Sequence, residues 1–229
     1  ADVCVLPVNL AVKLLGNGER YRLLGTLTHG NLYLLSKENK IITPNNISDL
    51  KDKTDGVVNL AQVPGLTVKL ILKEYGLTNS VKLMAITAQE VGLRDDVDYF
   101  VVPEPDASAK VNAVKDLEFS GDIQALYGGE VGYPQAVVVA KRELGGAFLD
   151  EFTSALEKSG DWITDESTSI QEIAEAVKSH LAPGMQPALT VQNLSLSVIK
   201  NCSVNFVRAD ACKEEIKQFI LEKYKNRDD

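Results

Sequence analysis

"DYFVVPEPDASAKV", residues 98–111, carries an apolar run, Tyr99–Val102, through Pro103-Glu104-Pro105 into a helical pattern. A short apolar run bounded by turn residues reads as a buried strand. Proline fixes φ and needs no amide partner in a first helical turn, so Pro105 makes the start of the helix rigid. The same move occurs twice more. "VCVLPVNLAVKLL", 3–15, passes from strand through Pro7 and Asn9 to a short helix ending at Gly16. "VVNLAQVPGLTVKLIL", 57–72, passes through Gln62, Pro64 and Gly65 to another. In open parallel sheets the loops after the strand ends line the ligand crevice, and helix N-termini there present unpaired N–H groups.

Working outward, strand-like runs fall at Val3–Leu6, Tyr21–Leu27, Leu32–Leu35, Val57–Leu60, Val81–Ala85, Tyr99–Val102, Ala136–Ala140 and Val204–Val207. Helical spacing links them. Val68, Ile71 and Leu72 share a face that Gly76 ends, and Phe148, Leu149, Phe152 and Leu156 share another. Ser169 and Glu172 form a capping box ahead of Ile170, Ile173 and Val177, and the last helix runs from Lys213 to about Tyr224. Strands alternating with helices of this length predict an α/β fold built from parallel βαβ units. From Ala147 onward the pattern is mostly helical. Gly30, and then Gly128, Gly129 and Gly132 ahead of Tyr133-Pro134-Gln135, mark two bends where the chain can pass between lobes.

The chain has 229 residues, a net charge of −8, and no run of Lys or Arg, which argues against a nucleic-acid or anionic-membrane partner. No apolar stretch is long enough to span a bilayer. Cys4, Cys202 and Cys212 are expected as free thiols. With two histidines, His29 and His180, no zinc-type spacing emerges, so no metal, cofactor or catalytic residue is assigned. Glu104 has no base or nucleophile tied to it by spacing. It reads as a ligand acceptor or as a partner of the helix dipole.

These words, in this order, resemble the solute-binding proteins of bacterial ABC importers, in the class that includes binders of nitrate, alkanesulfonates and thiamine-precursor pyrimidines. "ADVCVLPVNLA" is similar to the family's strand followed by Leu-Pro-x-Asn-x-Ala. "YRLLGTLTHGNLYLLSK" is similar to its first interlobe crossing, and "ISDLKDKT" to its Ile-x-Asp-Leu-Lys turn. "VPGLTVKLILKEYGL" matches the helix after the binding loop, and "VDYFVVPEPDAS" a strand ending in Pro-Glu-Pro. "GYPQAVVVAKREL" matches the return crossing, and "NCSVNFVRADACKEEIKQFILEKYK" the closing strand and helix. The resemblance covers nearly the whole chain.

It implies a type II periplasmic-binding-protein-like α/β fold of two lobes, residues 1–29 plus 142–229 and residues 30–141, with a ligand cleft between them. Family members begin with a further strand, helix and strand, so the first lobe is expected to be incomplete at the N-terminus. The implied role is the extracytoplasmic solute-binding component of an ABC importer, periplasmic or lipid-anchored on the outer face of the cell membrane. It would be monomeric, and hinge closure would present it to a membrane permease. The alternative is an enzyme of pyrimidine or menaquinone precursor biosynthesis on the same fold. A cytoplasmic regulator's effector domain, a third use of this fold, finds no helix-turn-helix here. The implied cleft takes Asn9 from the first loop, Gln62, Pro64, Gly65 and Thr67 from the second, and Glu104 and Ser108 from the third. Thr28 and His29 come from the first crossing, and Tyr133 and Gln135 from the return. No Lys or Arg lies in these loops, which tilts the small polar solute from an anion toward a neutral heterocycle. Glu104 is expected at a helix N-terminus facing the solute, with Tyr133 entering the same space.

Overall fold

A computed structural model describes residues 1–16, 18, 20–128, 132–187 and 189–225, with side chains of the last helix through Leu221. Gly129 lies outside them. Two sheets carry the nine strands found among the described residues. In the first, β1 (Val3–Pro7), β8 (Ala136–Lys141), β2 (Tyr21–Thr28) and β9 (Val204–Arg208) lie in that order, every pair antiparallel. In the second, the order is β5 (Lys82–Ile86), β4 (Thr54–Val58), β6 (Tyr99–Pro103), β3 (Leu32–Ser36) and β7 (Glu118–Asp122). Only β4 with β5 and β4 with β6 are parallel. The expected parallel βαβ sheet is therefore a parallel core of three strands inside a mixed fold. The reversal comes from β3, which runs antiparallel to both of its neighbours, β6 and β7.

The boundary expected at 141/142 is corrected by the register of β8. Val3 faces Ala140 and Pro7 faces Ala136, so this strand sits in the centre of the first sheet. The return from the second sheet lies before Ala136, and the outward crossing lies between Thr28 and Leu32. Strand β8 is buried on both faces: Val137 and Val139 point to one apolar cluster, Val138 and Ala140 to another. A strand covered on both sides reads as a continuous apolar run, as "AVVVA" does.

Helices complete each layer. Helix α1 (Val8–Gly16) follows β1, and α2 (Val63–Glu74) follows β4 with Pro in its first turn. Helix α3 (Asp106–Ala113) follows β6, and a short α4 (Ile123–Tyr127) follows β7, capped by the Asp122 side chain. The C-terminal part holds α5 (Gly146–Thr164), α6 (Ile170–Ser179), α7 (Leu196–Asn201) and α8 (Ala209–Lys225). The capping box on α6 is present: Ser169 Oγ accepts from the Glu172 N–H at 3.2 Å, and Glu172 accepts from the Ser169 N–H at 2.9 Å. The largest apolar cluster joins both sheets. It draws on Val8 and Ala11 of α1, Val63 and Ile71 of α2, Leu32 and Leu34 of β3, Val137 of β8, and Phe219 of α8. All three cysteines are free thiols. Among the described residues no helix is long and apolar enough to cross a membrane.

Candidate functional site

The two crossings run side by side. The Gln135 N–H donates to Thr28 O (3.0 Å), and the Ala136 N–H donates to Thr28 Oγ1 (3.2 Å). Gly30 and Gly132 both take positive φ here, +79° and +86°, values that strain any residue with a Cβ. The start of α1 is tied to the return crossing by the Val8 N–H donating to Gln135 O at 2.9 Å. Next along the chain, Asn9 Nδ2 reaches Gln62 Oε1 at 3.4 Å, at the N-cap of α2. The first loop, the second loop and both crossings therefore meet at one seam between the sheets.

A polar relay extends from that seam to the third loop. Gln135 Nε2 donates to Asn31 Oδ1 (2.6 Å), and Asn31 Nδ2 donates to Glu104 O (3.0 Å). The Glu104 N–H in turn donates to Asn31 O at 2.8 Å. The Glu104 side chain is buried at 3% exposure, at the start of α3 as expected. Its carboxylate accepts from the Ser108 N–H (3.0 Å), Ser108 Oγ (2.7 Å) and Asn201 Nδ2 (3.1 Å). It is thus turned onto its own helix and onto the end of α7, which belongs with the first sheet. Tyr33 Oη adds a bond to Asn201 O at 3.3 Å. Burial, with Glu104 adding to it, pushes the neighbouring Cys202 thiol up to about 11.

Tyr133 is fully buried. Its ring stacks on Phe219 (6.1 Å, 15°) and meets Tyr127 edge-on (5.4 Å, 66°). Burial raises its phenol well above the ordinary range. Its hydroxyl makes no well-aligned hydrogen bond, but the Asn31 backbone and the Thr67 side chain lie within hydrogen-bonding reach and pull its pKa back down. Thr67 spends its own hydroxyl on Val63 O at 3.0 Å. Asn9 Oδ1 and Gln135 Oε1 are buried without a partner. Asn9 and Gln135 thus each leave a buried carbonyl oxygen unpaired, a cost of about 1–3 kcal/mol apiece.

Pro64 and Gly65 are buried in the first turn of α2. His29 faces elsewhere. It lines a cavity of about 280 Å³ with Thr164, Lys200, Ser203 and Asn205, on the side of α7 and β9. Burial lowers its pKa, and the Glu215 carboxylate of α8 lies 3.8 Å from its Nε2. Two members of the relay, Asn31 and Asn201, escaped sequence reasoning. Asn31 stands next to the flagged Gly30. Asn201 closes a helix of six residues, too short to leave an apolar period.

The chain matches no family model and no curated protein. Solved structures do match. An ABC transporter structure from Parabacteroides distasonis is similar at 20% identity over 99% of this chain and 75% of that one, with a TM-score of 0.77. The periplasmic aliphatic sulphonate binding protein SsuA from Escherichia coli is similar at 18% identity over 99% and 71%, with a TM-score of 0.70. The alkanesulfonate-binding protein SsuA from Xanthomonas axonopodis pv. citri, bound to MOPS, is similar at 16% identity over 97% and 75%, with a TM-score of 0.59. The fold is therefore the type II periplasmic-binding-protein-like α/β fold of ABC-importer solute-binding proteins.

Proposed function

We propose that this chain is the solute-binding component of an ABC importer. It works outside the cytoplasm as a monomer and holds a small polar solute at the seam between its two sheets. The lobes are residues 1–29 with about 135–229, and about 30–134, and they hinge at the paired crossings. Closure over the solute offers a joint surface to a membrane permease. The observation that carries this reading is that Asn9 Oδ1 and Gln135 Oε1, on the first loop and the return crossing that the Val8–Gln135 backbone bond ties together, are buried without a partner. A bound solute supplies the missing partners.

Differential scanning fluorimetry against a metabolite collection, followed by small-angle scattering on any hit, tests this. A ligand at a hundred times its Kd stabilises by about 2.7 kcal/mol, which is a visible rise in Tm. Hits should also alter the radius of gyration through the hinge. A hit consumed and converted on prolonged incubation would instead favour the biosynthetic-enzyme alternative. No hit and no change in scattering would remove the binding reading.

A further inference from the structure

We infer that the solute carries no net negative charge and presents N–H or O–H donors to this seam, unlike an alkanesulfonate. This rests on the binding reading above. The hydrogen-bond relay fixes the polarity of its own end. Asn31 Nδ2 must be the donor toward Glu104 O, because a carbonyl can only accept. Asn31 Oδ1 is then the acceptor at 2.6 Å, so Gln135 must donate through Nε2. The group left over at Gln135 is therefore the carbonyl Oε1, an acceptor, buried and without a partner. No flip of either amide satisfies the chain of bonds equally well.

The other groups at the seam can serve as acceptors too, though Asn9, Gln62 and Tyr133 can also donate. Asn9 and Gln62 share one amide–amide bond, with Asn9 Oδ1 left unpaired. Tyr133 can accept as well as donate. Asn9, Asn31, Gln62, Tyr133 and Gln135 contain no cation, and the carboxylate one residue beyond the relay, Glu104, is negative when ionised. Strong anions are recognised by guanidinium, ammonium or several convergent amide protons. The first turn of α2 is poor in these: Pro64 has no N–H, and the Leu66 N–H closes on Gln62 O at 3.1 Å. A sulfonate placed here would meet the Gln135 carbonyl oxygen and no cation among the residues named. An amine, amide or amino-substituted ring would satisfy that oxygen.

The test uses the wild-type chain with Tyr133→Phe and Gln135→Met. Probes are cytosine, adenine and spermidine on one side, ethanesulfonate and nitrate on the other, read by fluorimetry and calorimetric titration. The donor-bearing probes should bind and the anions should not. Each variant should weaken that binding by about ten- to a hundredfold. Tyr133→Phe keeps the ring stack and removes a hydroxyl that makes no well-aligned hydrogen bond, so its unliganded Tm should hold or rise while affinity falls. A purely structural hydroxyl would give a fall in Tm with affinity intact. Binding of ethanesulfonate or nitrate, sensitive to both variants, overturns the inferred class and leaves the binding reading standing. Binding of donor probes that neither variant changes overturns the assignment of these acceptors. Silence from every probe, while the metabolite collection gives a hit of another class, overturns the inferred class and leaves the binding reading standing.

Discussion

Glu104 is held by its backbone and its carboxylate at once. Asn31 brackets its peptide groups, while Ser108 and Asn201 supply three donors to its two oxygens. A carboxylate accepts at both oxygens; an amide accepts at only one. Glu104→Gln therefore turns an NH₂ toward one of those donors and leaves a buried pair mismatched. The expected cost is about 1–3 kcal/mol in urea denaturation, with the m-value unchanged. Equal stability for the two proteins would mean that the Ser108 and Asn201 contacts are dispensable. The position of Glu104 at a helix start was legible from Pro103-Glu104-Pro105. The direction of its carboxylate was not, because one of its partners arrives from a residue 97 positions later. The turns beside Asn9, Tyr133 and Gln135 were legible from Pro7, Gly132 and Pro134, and the Val8–Gln135 backbone bond brings those turns together. The direction of His29 was not legible: its neighbours in the crossing point to the seam, but its own side chain lines the cavity beside Lys200 and Ser203.

Strands show where local pattern suffices and where it fails. β6 and β8 are buried on both faces, so their apolar runs announce them. Strand β7, "EFSGD", carries one large apolar residue in five positions and went unread. Its place is set by pairing with β3, where Tyr33 faces Asp122 and Leu35 faces Phe119. The lobe boundary expected at 141/142 falls at the far end of β8 and not at the bend before it. Lys141 pairs across the sheet with Tyr21, and its ammonium meets Asp2 at 2.8 Å. The true crossing is marked by Gly132. A Cβ there would lie 2.9 Å from His29 O, in a backbone conformation with φ of +86°. Gly132→Ala should therefore destabilise by about 1–3 kcal/mol, and Tm should fall by several degrees. Hydrogen exchange should quicken at residues 28–32, the facing crossing, before it does in β4 or β6. Uniform exchange across the chain would show that the crossings do not open as a unit.

At the scale of the whole molecule, two sheets share one apolar cluster, so the lobes fold against a common core although each has its own strand ladder. The two-lobe plan was legible because it follows from strand order and the two bends. The antiparallel wiring of the first sheet was not, since pairing partners such as β1 and β8 lie more than a hundred residues apart. Within the second sheet one carboxylate works against the rest. Asp55 of β4 is 1% exposed, with Oδ1 unpaired, and burial, helped by Asp98, raises its pKa to about 7. Exposed carboxylates such as Glu157 and Glu172 are held low by Arg208 and by the Ser169 cap, so the stability they add is lost as pH falls toward the acid range. Asp55 has the opposite sign. Its folded pKa lies above its unfolded value of 3.8, so the folded state holds a proton that the unfolded chain has released. Its contribution is complete below about pH 4, declines as pH rises toward about 7, and is gone above that. Stability should therefore peak on the acid side of neutrality and fall toward pH 8. Asp55→Asn, which stays neutral throughout, should remove the decline between about pH 4 and 7 and be more stable than wild type at pH 8 by on the order of 3 kcal/mol. Urea denaturation of both proteins across that range measures the difference directly. Superimposable pH profiles would mean that Asp55 ionises in the folded state as readily as in the unfolded chain.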